Sequence, residues 1–217
     1  RPGYGGSSPQ PGRRMVDWPQ DVAALADHLG LEHFAVIGLS SGGPYALVCA
    51  ALLGHRVTAA GVVAGVTDMQ WPGAWPGYDP HEAELMRLGD EAAATAWCED
   101  HWGADGAGFF ASTDDRAPVP ADAELLADEA LAAGMMRTVV EAFRQGVAGF
   151  AQDVTVQARP WGFDPGTITV PVHVLHGDLD PVVPIAHGRH TTEVVPTAVL
   201  RVLPGHGHIS TVRTVPG

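Results

Sequence analysis

His33-Phe-Ala-Val-Ile-Gly38-Leu-Ser40-Ser-Gly42-Gly-Pro-Tyr45 is the stretch on which the reading of this chain turns. Its apolar run from Phe34 to Ile37 stops at Gly38, and beyond Ser40 small and apolar residues continue from Ala46 to Leu53. A short apolar run, a glycine-framed turn and a longer apolar run predict a buried strand, a tight turn and a helix packed on a sheet. Ser40 then takes a strained backbone conformation, which residues without bulk two positions before and two after can accommodate. Its hydroxyl stands above the carboxyl end of the strand. The amides that follow, beginning with Ser41 N–H, open a helix N-terminus where donors and dipole favour an oxyanion. The pattern Gly38-x-Ser40-x-Gly42 is weak on its own, because a serine at such a turn can simply cap the helix. A cap needs no glycine on both sides, and that frame selects Ser40 over Ser41, whose flanking positions are Leu39 and Gly43.

On the N-terminal side, Asp17 reads as the cap of a helix from Trp18 to Leu29, with Val22, Leu25, Ala26 and Leu29 at helical spacing and Gly30 as its stop. On the C-terminal side, Val57 to Val66 is continuously apolar, as in a strand buried on both faces. Strand, helix and strand again give a parallel sheet. From Thr67 to Pro160 the pattern changes. Pro80 to Trp102 and Pro120 to Gln152 read as helices, the second with Leu125, Leu126, Glu129, Ala133, Met136, Val140 and Phe143 in phase, and Gly103 to Val119 as a loop. No strand is predicted there, so residues 67–160 read as a helical insertion between two parts of an α/β core, residues 1–66 and 161–217. Trp71, Trp75, Trp97, Trp102, Phe109 and Phe110 lie in the insertion. The four tryptophans are candidates for a substrate pocket, against the plainer reading that large aromatics build the insertion's own core.

Parallel strands resume at Val170 to His176, followed by Gly177-Asp178-Leu179-Asp180-Pro181. A helix from Ile185 to Val194 leads to a last strand, Ala198 to Leu203, and then to Pro204-Gly-His206-Gly-His208. Ser40, Asp180 and His208 therefore each stand just past the carboxyl end of a predicted strand, where open α/β sheets hold their ligands. A serine hydroxyl is a poor nucleophile at neutral pH. It needs a base to take its proton and an acid to fix that base's tautomer. These three supply all of those types.

Composition bounds the rest. A chain of 217 residues, 46% hydrophobic and 17% charged, can bury one sizeable core. Its formal charge of -13 repels phosphate backbones and anionic lipid, so neither nucleic acid nor membrane is expected as a partner. The two cysteines, Cys49 and Cys98, make no disulfide framework or metal spacing and read as free thiols. His187, His190 and Glu193 recur three apart on one helix, and an exposed polar face explains them better than a metal site. No phosphate loop or dinucleotide fingerprint occurs, so no cofactor is expected. The acidic residues Glu82, Glu84, Asp90, Glu91, Glu99 and Asp100 read as a solvated helix face, with binding of a substrate amine as the sharper alternative. The chain opens at Arg1 on a turn-rich loop and closes nine residues after its last histidine. The expectation is of a cytoplasmic protein continued at both ends.

Gly38-Leu-Ser-Ser-Gly42-Gly, His176-Gly-Asp-Leu-Asp180-Pro-Val-Val-Pro and Pro204-Gly-His-Gly-His208 together resemble the nucleophile elbow, acid loop and histidine loop of the α/β-hydrolase superfamily. The order serine, acid, histidine is also that family's. Arg1-Pro-Gly-Tyr-Gly-Gly-Ser7 resembles the loop after the fold's fourth strand, and residues 67–160 fall where its variable cap lies, similar to the proline-iminopeptidase-like and small-ester branches. The resemblance implies Ser40 as nucleophile, Asp180 as acid, His208 as base and Ser41 N–H as an oxyanion donor. Asp178 and His206 are the competing acid and base, and the motif frames favour Asp180 and His208. It further implies a serine hydrolase acting on an ester or amide of a small-molecule substrate. The alternatives are a non-catalytic binding protein on the same scaffold, or a chain weakened because a second oxyanion donor and neighbouring strands lie upstream of Arg1, leaving a hydrophobic edge exposed.

Overall fold

A computed structural model of the protein describes residues 1–109 and 118–213. Four strands, β1 (Phe34–Leu39), β2 (Val57–Val63), β3 (Val172–Gly177) and β4 (Ala198–Leu203), form one sheet in that spatial order, and every neighbouring pair is parallel. Leu39 pairs with Val63, Val63 with Leu175, and Gly177 with Leu203, so the strands finish along one rim. The loops that leave this rim carry Ser40, Asp180 and His208.

Helices α1 (Trp18–His28) and α2 (Gly43–Leu52) precede and follow β1. Residues Gly43 to Ala50 of α2 are all buried, because this helix lies between the sheet and α1 and is apolar around its whole circumference. Asp17 holds the N-cap position of α1, but its side chain makes no capping bond to that helix. It closes a tight turn over Met15–Asp17, where its carboxylate accepts the Arg14 backbone N–H at 2.8 Å, and α1 starts with Pro19 in its first turn. Helix α8 (Ile185–Val194) packs on β3 and β4, and the short α9 (His208–Arg213) packs on β3.

Between β2 and β3 the described residues are helical. The long helices expected over 80–102 and 120–152 are two and three separate helices: α3 (Pro80–Leu88), α4 (Glu91–Trp102), α5 (Pro120–Leu126), α6 (Glu129–Ala142) and α7 (Ala148–Ala158). Each break has a local cause. Gly89 ends α3 at φ 65°, Asp90 caps α4 by accepting Ala93 N–H at 2.9 Å, and Asp128 caps α6 by accepting Ala130 N–H at 2.9 Å. Residues 110–117, which include Phe110 and most of the expected loop after Gly103, lie outside the described residues.

Two apolar clusters organise the interior. One lies under the sheet and joins Leu47 and Val48 of α2 to Val62, Val174, Trp161 and Ile168. The other fills the helical segment with Met69, Leu85, Trp97, Trp102, Phe143 and Val154, and it reaches the sheet rim through Val66 and Val183. The stripe on α6 is not a buried face, since Val140 is 65% exposed and α6 contains no buried residue. Strand β2 is buried on both faces, by Ala60 and Val62 on one and Val57 and Val63 on the other, with Thr58 exposed near its start; it ends at Val63, short of the expected Val66, because Ala64 turns the chain at φ 46°. Strand β1 is an edge strand, and Ile37 on it is 63% exposed. Among the described residues no helix is long and apolar enough to cross a membrane.

The N-terminal loop is fastened by a buried charge cluster. Asp153 of α7 pairs with the guanidinium groups of Arg1 and Arg13 and accepts the Tyr45 hydroxyl at 2.8 Å. Arg13 also donates to Gln152 Oε1 at 2.8 Å and to Tyr45 Oη at 2.9 Å. Removing one partner of a buried pair leaves the other charge uncompensated. Asp153→Ala is therefore expected to cost about 3–5 kcal/mol in urea unfolding; a loss under about 1 kcal/mol would show that the cluster does not hold the loop.

Candidate active site

Ser40 directly follows β1 and has φ 52°, one of two non-glycine residues among those described with a positive φ. Such a conformation costs on the order of 1–3 kcal/mol and persists only where the surroundings enforce it. Here the enforcement is visible. A Cβ at Gly38 would lie 2.1 Å from the Gly42 carbonyl oxygen, so the turn closes this tightly only over a glycine. Gly42 is different: a Cβ there would meet open space, and its φ is -80°. The two-sided glycine requirement read from the sequence thus holds at Gly38 and is not steric at Gly42. The Ser40 carbonyl accepts Val66 N–H at 3.2 Å, which ties the elbow to the exit of β2, where Ala64 is the second strained residue. Ser41 follows within a tight turn (Ser40–Gly42) that runs into α2, so its N–H stands at the positive end of that helix.

Asp180 is 8% exposed, and its carboxylate is satisfied from three sides. Oδ1 accepts the N–H groups of Val182 and Val183, both at 2.9 Å, and Oδ2 accepts His208 Nδ1–H at 2.8 Å. That last bond fixes the tautomer of His208 and leaves Nε2 free to take a proton. Asp178 has a different partner. Its Oδ1 accepts Gly205 N–H at 2.7 Å, fastening the histidine loop to the acid loop. His206 is turned against the Pro204 carbonyl, with Nδ1 at 3.0 Å. Geometry therefore brings together Asp180 and His208 and leaves the competing acid and base outside the pair. Ser40 Oγ makes no hydrogen bond among the described residues.

Sequence reading missed three supporting groups. His176 is fully buried and donates Nε2–H to the Val183 carbonyl at 2.8 Å, bracing the acid loop, while burial lowers its pKa and keeps it neutral. Its place two residues before Asp178 in the acid-loop motif was the available signal. Tyr78 donates its hydroxyl to Glu82 at 2.5 Å, and Asp79 N–H donates to the Val182 carbonyl at 3.1 Å, so the start of α3 sits against the acid loop. Burial, ahead of the neighbouring Asp79 charge, raises the Glu82 carboxyl despite the Tyr78 bond. Asp122 of α5 bonds the first turn of α9, and no sequence signal marked it.

Burial pushes the His208 imidazole toward its neutral form. The hydrogen bond and charge of Asp180, reinforced by the charges of Glu82 and Asp122, outweigh that and hold its pKa above the ordinary value.

The other singled-out residues fall elsewhere. Trp97 and Trp102 are buried and meet edge to face at 5.5 Å in the helical cluster; Trp71 stacks on His190 at 4.0 Å; Trp75 lies under Arg87 at 4.9 Å. None of them lines the cavity of about 550 Å³ beside the candidate base, which is formed by Leu39, Leu125, Leu131, Met135, His208 and Ile209, among others. His187 is not on an exposed face: it is fully buried, accepts Thr67 N–H at 3.1 Å and lies 2.8 Å from the Ala74 carbonyl, and burial lowers its pKa to about 4. No group of three or more histidine, cysteine or acidic residues among those described could hold a metal ion. Cys49 and Cys98 are both free and buried, and burial pushes each thiol up to about 12. A concavity lined by Asp27, Leu31, His33 and Arg56 lies at the opposite end of the strands.

The raised imidazole gives a direct check. His208 should be neutral only above its raised pKa and gain a proton as pH falls through it. Imidazole titration by NMR is expected to give a midpoint above that of an ordinary histidine, and Asp180→Asn to bring it down; a midpoint at or below the ordinary value would contradict the pairing.

Comparison with known proteins adds the lineage. A family model described as the alpha/beta hydrolase fold matches residues 1–212. The uncharacterized hydrolase YcgS of Bacillus subtilis is 27% identical over 220 residues, covering 96% of this chain and 73% of that protein. An alpha/beta hydrolase fold protein from Nakamurella multipartita superposes with a TM-score of 0.65 at 25% identity, covering 97% of this chain and 74% of the other. A structure reported with carboxylesterase activity profiles from the thaumarchaeon Nitrososphaera gargenis matches with a TM-score of 0.65 at 22% identity, over 98% of this chain and 72% of its own, and shares the fold.

Proposed function

The chain belongs to the alpha/beta hydrolase fold family, and from that premise we propose that it is a serine hydrolase cleaving esters or amides of small, apolar, uncharged substrates through an acyl-enzyme. One observation carries the reading: the 2.8 Å bond from His208 Nδ1–H to a buried Asp180, on the same sheet rim as a serine held at φ 52°. This arrangement supplies a base with a fixed tautomer and a nucleophile raised out of the turn.

In the proposed reaction His208 Nε2 takes the Ser40 proton as Oγ attacks the carbonyl carbon. The Asp180 carboxylate stabilises the imidazolium, and Ser41 N–H donates to the developing oxyanion. The imidazolium then returns its proton to the leaving oxygen or nitrogen as that bond breaks. Water, deprotonated by the same imidazole, attacks the acyl-enzyme and frees the acid and Ser40. Among the described residues the Ser40 hydroxyl makes no hydrogen bond, and its bond to His208 Nε2 would form when substrate is present.

The substrate class follows from the walls. The cavity beside His208 is lined chiefly by Leu39, Leu125, Leu131, Met135 and Ile209, which suits an apolar acyl or alkyl group. A net charge of -13, with Glu82 and Asp122 both near the base, works against anionic substrates. Residues 67–160 would serve as a cap, because Leu125, Leu131 and Met135 come from that segment while Leu39 and His208 come from the core.

A fluorophosphonate probe is expected to label Ser40 in the wild type, with labelling abolished in Ser40→Ala and slowed about 10⁴-fold in Asp180→Asn, where the tautomer is wrong. Labelling that persists in Ser40→Ala, or a well-folded wild type that takes no label, would favour a non-catalytic binding protein instead.

A further inference from the structure

The candidate base itself begins a helix whose cap does not come from its own sequence. Helix α9 starts at His208, and the position before it is Gly207, which has no side chain to offer. The acceptor comes from α5, 88 residues away at Ser210 and in the middle of the helical segment. Asp122 is 4% exposed; Oδ1 accepts Ser210 N–H at 2.8 Å and the Ser210 hydroxyl at 2.5 Å, and Oδ2 accepts Ile209 N–H at 3.3 Å. Ser210 Oγ in turn accepts Gly207 N–H at 2.9 Å. Gly207, Ile209 and Ser210, which bracket His208, are thus all joined to one carboxylate, directly or through a single hydroxyl. The approach is close enough to constrain the sequence. A Cβ at Gly207 would lie 2.3 Å from Asp122 Oδ2.

A surface cap adds only stability. A buried one that grips the residues on both sides of a base also sets where the imidazole stands. We propose that Asp122 is a positioning residue for His208, by which the helical segment 67–160 orients the base of the core. The inference rests on the reading of Ser40, Asp180 and His208 as the reacting set. It also joins substrate to base, because Leu125, one helical turn on from Asp122, is a wall of the apolar cavity. A ligand that seats α5 seats the base with it.

Charge accompanies geometry. The titratable groups around the imidazole are Asp180 on the acid loop, Glu82 on α3, Asp122 on α5 and His176 on β3, with Asp128 and Arg213 on the walls of the cavity it lines. Asp122 is one of three carboxylates whose charge raises the His208 pKa against burial, so removing that charge should lower the midpoint.

The test uses Asp122→Asn, which keeps the shape and loses the charge, and Ser210→Ala, which keeps the charge and loses the hydroxyl bridge. NMR titration of the His208 imidazole is one readout, and kcat and KM for a neutral acyl ester are the other. Asp122→Asn is expected to lower the His208 midpoint and to reduce kcat about 10- to 100-fold with KM within about threefold, the penalty of a misplaced base. Ser210→Ala is expected to reduce kcat with the midpoint unmoved. An Asp122→Asn protein whose midpoint and kcat both match the wild type would overturn the proposal. So would one whose apparent kcat falls only in proportion to the folded fraction measured by circular dichroism, with KM unchanged. A wild type with no esterase activity and no Ser40 labelling, but with a His208 midpoint that drops in Asp122→Asn, would retain the positioning role and refute the hydrolase reading, which keeps the two failures apart.

Discussion

A carboxylate taken out of water has to find its hydrogen bonds inside the protein, and the arrangement of this molecule's working rim follows from how Asp180 finds them. Two backbone N–H groups, from Val182 and Val183, hold one oxygen and His208 holds the other. Charge-assisted bonds of this type contribute roughly 1.5–3 kcal/mol each, and losing any one exposes the full desolvation cost of the carboxylate. The acid loop can therefore take few other shapes. His176 braces it through the Val183 carbonyl, Asp79 N–H reaches the Val182 carbonyl, and Asp178 ties it to the histidine loop through Gly205. Sheet, acid loop, histidine loop and α3 are locked to one another around a single anion.

The opposite side of the rim works by strain rather than charge. Ser40 and Ala64 both hold positive φ angles at the ends of the paired strands β1 and β2, and Val66 N–H joins the two turns through the Ser40 carbonyl. Gly38 lets the elbow close against Gly42, and α2 behind it, buried from Gly43 to Ala50, leaves no room for the turn to relax. The backbone that carries the Ser40 hydroxyl is thereby fixed by packing.

How much of this could be read from the residues divides along a physical line. Short-range signals were legible: the apolar runs that became β1, β3 and β4, the fully apolar α2, and the glycine-framed serine with its acid and histidine loops. Contacts that depend on which element lands against which were not. The stripe from Leu125 to Val140 has a helical period, yet Val140 is exposed, because periodicity identifies a face and says nothing of its partner. His187 recurs with His190 as a surface face would, and is buried between Thr67 and Ala74 instead. Asp122 carries no motif, since its value lies in the fold bringing it to residues 88 positions away. The helix breaks at Gly89 and Asp128 were the exception. Their glycine and cap chemistry was present in the sequence, and at Asp128 it was outweighed by the apolar repeat around it.

The account's central claim is that three side chains from three loops act on one carbonyl. The most direct measurement is a crystal structure of the protein after reaction with a fluorophosphonate. The account predicts phosphorus bonded to Ser40 Oγ, a phosphoryl oxygen accepting Ser41 N–H, and His208 Nε2 within about 2.6–3.2 Å of a probe or serine oxygen while Nδ1 stays bonded to Asp180. Phosphorus on any other residue, or an imidazole out of reach of the modified serine, would contradict it.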